Sequence, residues 1–178
     1  LRAGWAYISS GTWSLVGIER DEPLLSADVL NGGFTNESGV CGTVRLLTNV
    51  MGLWLLESCR REWEAEGRPQ PIDALLAAVG RAGEPAGVIF PDDQRFFAPA
   101  SMVRELRDAL RETGQQAPDD PVRLAKVVLD SLALRYAASV RTIERITGRA
   151  IPGIHIVGGG SLNGYLNQAT ADAAGREV

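Results

Sequence analysis

Residues Trp5 to Ile18 read WAYISSGTWSLVGI, two runs of aromatic and β-branched residues on either side of Ser9-Ser10-Gly11-Thr12. Such runs suit strands, and Ser and Gly between them suit a tight turn, so the segment predicts a β-hairpin. Antiparallel pairing at the start, followed by helices and strands in alternation, predicts a mixed sheet flanked by helices: an α/β layered domain.

Working outward from the hairpin, Gly32-Gly33 and Gly39 bracket a polar stretch, Phe34 to Ser38, that reads as a third, weaker strand. Leu46, Leu47, Val50, Leu53, Trp54 and Leu56 follow i, i+3, i+4 spacing, which predicts a helix from Thr48 to Glu66, stopped by Gly67 and Pro69. Ile72 to Val79 reads as a helix begun by Pro71, Val88-Ile89-Phe90 as a short buried strand, and Ser101 to Glu112 as a helix ending at Gly114. Asp119-Asp120-Pro121 supplies capping carboxylates and a first-turn proline, so a helix runs from there to Thr147 before Gly148; at 1.5 Å per residue it is about 40 Å long, a scaffold. Ile154 to Val157 reads as a strand, Gly158-Gly159-Gly160 as a turn, and Ser161 to Ala174 as a helix. The Pro and Gly density from Gly67 to Pro99 suggests an insertion or a mobile flank.

The chain has 178 residues, 45% of them apolar, enough for one sizeable core, and a net charge of −4. That balance supplies no positive field for nucleic acid or an anionic membrane, so a charged ligand must be held by local dipoles. Two cysteines, Cys41 and Cys59, and one histidine, His155, make no zinc set. No apolar run approaches the roughly 20 residues of a membrane span, and no signal peptide opens the chain. A reduced, cytoplasmic protein is expected. The chain starts at Leu1 and runs at once into strand-like sequence, and Arg176-Glu177-Val178 resembles the beginning of another strand, so it reads as a piece of a longer protein.

Two turns could carry chemistry. In Ser9-Ser10-Gly11-Thr12 a glycine flanked by hydroxyls can aim several donors at one point, a nest for phosphate; an ordinary β-turn uses the same residues. In Gly158-Gly159-Gly160 the missing Cβ atoms let a ligand approach the backbone, and a following helix would favour negative charge; a plain strand-to-helix connection is the alternative. Neither completes a GxGxxG or GK[ST] motif, since Asn163 stands where a third glycine would fall. His155 reads as a hydrogen-bonded sheet residue, Asp92 and Asp93 as an Asx turn paired with Arg95 rather than a metal site, Trp5, Trp13, Trp54 and Trp63 as core and interface fillers, and both cysteines as buried small residues.

Five stretches in order, AYISSGTWSLVGIE, FTNESGVCGTVRLLTNVMGLWLLE, FPDDQRFFAP, LDSLALRYA and HIVGGGSLNGYLNQATADAAG, together resemble the FGGY carbohydrate kinase family over nearly the whole chain. The resemblance implies an actin-like ATPase fold of two ribonuclease H-like domains with Mg2+-ATP between them, of which residues 1–178 are the C-terminal, nucleotide-binding one. It implies that Gly11 and Thr12 contact the ATP phosphates, that Gly158, Gly159 and Gly160 lie against the adenosine with Asn163 shaping that pocket, and that Asn49 sits at the substrate end. Glu57 occupies a position where relatives often carry a nucleotide-contacting Gln; a carboxylate donates no hydrogen bond and repels phosphate. The family's catalytic Asp and its sugar-binding N-terminal domain are expected outside the chain, so no residue here is assigned as catalyst or metal ligand and the chain alone is expected to be inactive. The implied reaction moves the γ-phosphoryl of ATP to a hydroxyl of a ketose such as L-rhamnulose. The rivals are a non-catalytic actin-like module that binds nucleotide or sugar for regulation, and a dinucleotide-dependent oxidoreductase, which the incomplete glycine fingerprint disfavours.

Overall fold

The computed structural model describes residues 2–84 and 87–178; of the stretch from Gly67 to Pro99, Pro85 and Ala86 lie outside the described residues. Strands β1 (Ala6–Ser10) and β2 (Trp13–Arg20) form the hairpin, with Tyr7 opposite Gly17 and Ser10 opposite Ser14, leaving Gly11 and Thr12 as its two-residue turn. Helix α1 (Ala27–Asn31) follows, capped by Ser26, whose Oγ accepts from the Val29 N–H; the sequence reading missed it. Strand β3 (Thr35–Ser38) is the weak third strand expected.

The helix expected from Thr48 begins only at Trp54. Val44–Met51 is instead strand β4, paired with β2 from Trp13–Met51 to Arg20–Val44 and with β3 on its other edge, and α2 spans Trp54–Ala65. Leu46, Leu47, Val50 and Met51 are all buried, so this inner strand is covered on both faces and loses the alternation that marks an exposed strand. Its apolar residues run into those of α2 and imitate helical spacing.

Helices α3 (Ile72–Arg81), α4 (Met102–Glu112) and α5 (Pro121–Thr147) follow as read. The caps of α5 are those the sequence announced: Asp120 accepts from the Arg123 N–H, Pro121 opens the first turn, and Gly148 ends the helix at φ 65°. Val88-Ile89-Phe90 is not a strand. The Gln115 side chain, from the loop after α4, bonds Val88 on both its N–H and carbonyl, and the Ile89 N–H donates to Ser131 of α5, so side chains take the backbone groups a sheet would have paired.

Strand β5 (Ile154–Val157) lies parallel to β1 and completes a mixed sheet of order β3-β4-β2-β1-β5. Glu177 bridges Gly153 in parallel, as the strand-like chain end suggested. Helix α6 spans Gly164–Ala174, not Ser161 onward: a 3-10 turn over Gly159–Leu162 intervenes, and Asn163 caps the true helix by accepting from the Leu166 N–H. The core is one continuous cluster in which Ala6, Ile8, Val16, Leu46 and Val50 of the sheet meet Leu124, Val128, Leu132 and Val140 of α5. Trp63 is fully buried, whereas Trp13 is 46% exposed. Cys59 is buried, and burial pushes its thiol well up from the ordinary value; Cys41 is exposed, against expectation, in a glycine-flanked turn at φ 55°.

Candidate functional site

The two turns singled out in the sequence lie at one end of the sheet. Because β1 and β5 run parallel, with Ser9 opposite Val157, Ser10 and Gly158 leave the sheet side by side. Their contact is close: a Cβ on Gly158 would stand 2.7 Å from the Ser10 carbonyl oxygen, and one on Gly160 would overlap Ser10 Oγ. The start of α2 closes the group, its Leu53 N–H donating to the Gly11 carbonyl at 2.9 Å and its Trp54 N–H to the Thr12 carbonyl at 3.0 Å. Gly52 permits this, since a Cβ there would stand 2.6 Å from both the Gly11 oxygen and Ser14 Oγ.

The structure departs from the expected site in two respects. The hairpin does not present a row of hydroxyls: Ser10 is 1% exposed with its Oγ unpartnered beneath the glycine turn, Ser14 Oγ is bonded to Tyr136 Oη of α5 at 2.7 Å, and within the two-residue turn the exposed hydroxyl is that of Thr12. Burial pushes the Tyr136 phenol up from its ordinary value, with the Ser14 bond opposing it. Nor does the triple glycine sit at the N-terminus of α6, because a 3-10 turn over Gly159–Leu162 intervenes and α6 begins only after the Asn163 cap. Its availability to a ligand comes from bare backbone, not from the α6 dipole.

Around this end lie two cavities. The first, of about 330 Å3, brings together Glu57, Gly159 and Asn163, walled by Leu53, Leu56, Ile72 and Leu76. Gly159 is exposed and an added Cβ would have no neighbour within 4 Å, so it borders open space. Glu57 is paired with Arg60 at 2.7 Å and Arg61 at 3.3 Å, which offsets the repulsion its carboxylate would exert on an anion. Asn163 is buried and committed to its cap.

The second cavity, of about 640 Å3, holds Asn49 together with Trp13, Phe90, Asp92, Phe97 and Arg135. Asn49 therefore lines a different cavity from Glu57, Gly159 and Asn163. The aromatics of this cavity were not read as site residues. Phe96 and Phe97 stand side by side at a short 3-10 turn, Gln94–Phe96; the core takes Phe96 and leaves Phe97 exposed, and the adjacent aromatic pair is the sequence signal that could have flagged Phe97.

Other residues fall as read. His155 accepts from the Arg2 N–H at 3.0 Å and stacks on Trp5, and Asp93 accepts from the Arg95 N–H while pairing with its guanidinium. Asp92 departs from the Asx reading: it accepts from the Met51 N–H at 2.8 Å and pairs with Arg135. Among the described residues no three His, Cys, Asp or Glu side chains converge on a metal position, and no helix is long and apolar enough to cross a membrane.

A mixed sheet with a leading hairpin, helices packed on it and glycine turns gathered at one sheet end makes this an α/β domain. Residues 6–178 match the C-terminal domain of the FGGY family of carbohydrate kinases, and the chain belongs to that family. It is 42% identical over its whole length to the rhamnulokinase of Bacteroides thetaiotaomicron, covering 36% of that protein, and 45% identical to the rhamnulokinase of Pectobacterium carotovorum over 94% of the chain and 33% of the relative. The chain thus spans about a third of the length of these relatives. Among solved structures, xylulose kinase from Rhodospirillum rubrum superposes on 99% of the chain with a TM-score of 0.70 at 14% identity, over 34% of that protein. Plasmodium falciparum glycerol kinase with ADP superposes on 97% with a TM-score of 0.65, also at 14% identity and 34% coverage. At these identities the superpositions speak for the fold.

Proposed function

We propose that this chain is the ATP-binding half of a cytoplasmic carbohydrate kinase that transfers the γ-phosphoryl of Mg2+-ATP to a hydroxyl of L-rhamnulose or a related ketose. The observation that carries this reading is the convergence of Gly11, Thr12 and Gly158–Gly160 on one sheet end beside an open, partly apolar cavity. The residues suit the ligand. Gly159 offers bare backbone where a planar base can lie, the leucine and isoleucine side chains of α2 and α3 offer apolar cover, and the Thr12 hydroxyl stands ready for a phosphate oxygen.

ATP would supply the phosphoryl group, and its Mg2+ would offset part of the negative charge of the phosphates. This chain's part is positioning. Gly11 lets the bend approach phosphate oxygens, the α2 contacts to the Gly11 and Thr12 carbonyls hold the bend still, and the Glu57–Arg60–Arg61 group keeps the nucleotide end close to charge balance. The carboxylate that accepts the sugar hydroxyl's proton, and most sugar contacts, are assigned to the remainder of a full-length kinase. The chain alone therefore gives no turnover.

A coupled ADP-release assay of the full-length protein over a panel of ketoses and polyols tests the proposal. ADP release dependent on one ketose is the expected result. ATP binding with no release on any sugar would instead favour a non-catalytic regulatory module, and binding of NAD in place of ATP would favour the oxidoreductase.

A further inference from the structure

The larger cavity pairs aromatic faces with hydrogen-bonding groups, and the core does not account for the aromatics. Trp13, Phe90 and Phe97 keep 46%, 61% and 64% of their surfaces exposed around one hollow, where a soluble domain ordinarily avoids clustering large apolar side chains. Trp13 and Phe97 face each other at 6.0 Å between ring centroids and 55° between planes. The loop that carries the phenylalanines is fixed. Ile89 is bonded to Ser131, Asp92 to both the Met51 N–H and Arg135, and the Phe96 carbonyl to the Trp54 indole at 3.1 Å. The wall is thus pre-formed, and holding it so lowers the ordering cost of binding.

Polar groups converge on the same hollow. Asn49 and Gln94 line it and are exposed, and Arg135 reaches it with Nε on Asp92 and Nη1 on Ser139, leaving Nη2 without a partner among the described residues. Ring faces with a few amide and guanidinium groups suit a ligand that has both C–H faces and hydroxyls; a purely apolar ligand would strand the amides, and Asp92 already neutralises the one cation against an anion. Location adds a second argument. Trp13 directly follows Thr12, so this cavity begins one residue from the bend assigned to the phosphates, and it shares no lining residue with the cavity of Glu57 and Gly159.

We propose that Trp13 and Phe97 form the platform on which the acceptor ketose lays its C–H face, with Asn49, Gln94 and Arg135 binding its hydroxyls. The assignment rests on the kinase reading above and makes this domain a determinant of sugar choice, not of nucleotide binding alone.

The test uses the full-length enzyme with Trp13→Ala, Phe97→Ala and the conservative Trp13→Phe, titrated separately with L-rhamnulose and with ATP by calorimetry and assayed for both KM values. Expected is a rise of about tenfold or more in the ketose Kd and KM for each alanine variant, ATP constants within about twofold of the parent, and substantial recovery in Trp13→Phe. Unchanged ketose constants in both alanine variants of an enzyme that still phosphorylates the ketose would overturn the platform and leave the kinase reading standing. Parallel losses of ketose and ATP binding would also overturn it, because the aromatics would then be holding protein against protein. A parent enzyme that neither binds nor phosphorylates any ketose would end both readings.

Discussion

Gly159 and Gly160 are neighbours with opposite reasons to lack a side chain. At Gly160 the space is taken by Ser10, so Gly160→Ala forces the turn away from β1 and should destabilise the fold by about 1–3 kcal/mol, read as a lower midpoint in chemical denaturation. At Gly159 nothing is near, so a branched side chain costs the fold little and projects into the small cavity instead. In the full-length enzyme Gly159→Val should raise the ATP KM by about tenfold or more while the ketose KM stays within about twofold. Equal changes in both constants would remove the nucleotide assignment. Tyr136→Phe is a third residue-scale case: it takes the partner from buried Ser14 Oγ at the foot of the hairpin and should cost about 1–2 kcal/mol.

At the scale of elements, α5 is the beam to which the site is fixed, and its two ends can be tested. Asp120→Ala removes the N-cap and should cost about 1 kcal/mol, measurable by denaturant midpoint. At the other end burial works against ionising Glu144, but the Ile151 N–H at 2.8 Å and Arg176 at 3.1 Å outweigh it and hold the carboxyl below the usual carboxylate range. A depressed pKa gives stability that is present above the unfolded value and lost as pH falls through the folded one. Glu144→Gln should therefore cost on the order of 1 kcal/mol near neutral pH, with the difference from the parent shrinking as both are acidified through that window. The same helix shows what a sequence can disclose. Asp120, Pro121 and Gly148 are local signals, and local signals fix α5 to the residue, as Ser101 fixes the start of α4. Where tertiary pairing decides, reading fails: β4 looks helical because both its faces are covered, and Val88-Ile89-Phe90 looks like a strand although Gln115 and Ser131 take its backbone groups. The site divides the same way. Its glycines are legible as glycines, but that Asn49 belongs with Trp13, Phe90 and Phe97 depends on register across the sheet and on a loop pinned from α5, neither of which is written locally.

For the whole molecule, the decisive feature is that two cavities share no lining residue, one holding Gly159 and Glu57, the other Asn49 and Trp13. If each serves its own ligand, the two binding events can be disabled one at a time. A ligand that binds only the folded state stabilises it according to its affinity, by about 2.7 kcal/mol at a hundred times its Kd, so thermal shifts of the full-length enzyme report each site without needing turnover. Gly159→Val should abolish most of the ATP-induced shift and retain the ketose-induced one, and Trp13→Ala should do the reverse. The crossed pattern separates two sites from one: either variant losing both shifts in equal measure would mean that nucleotide and sugar share a single hollow.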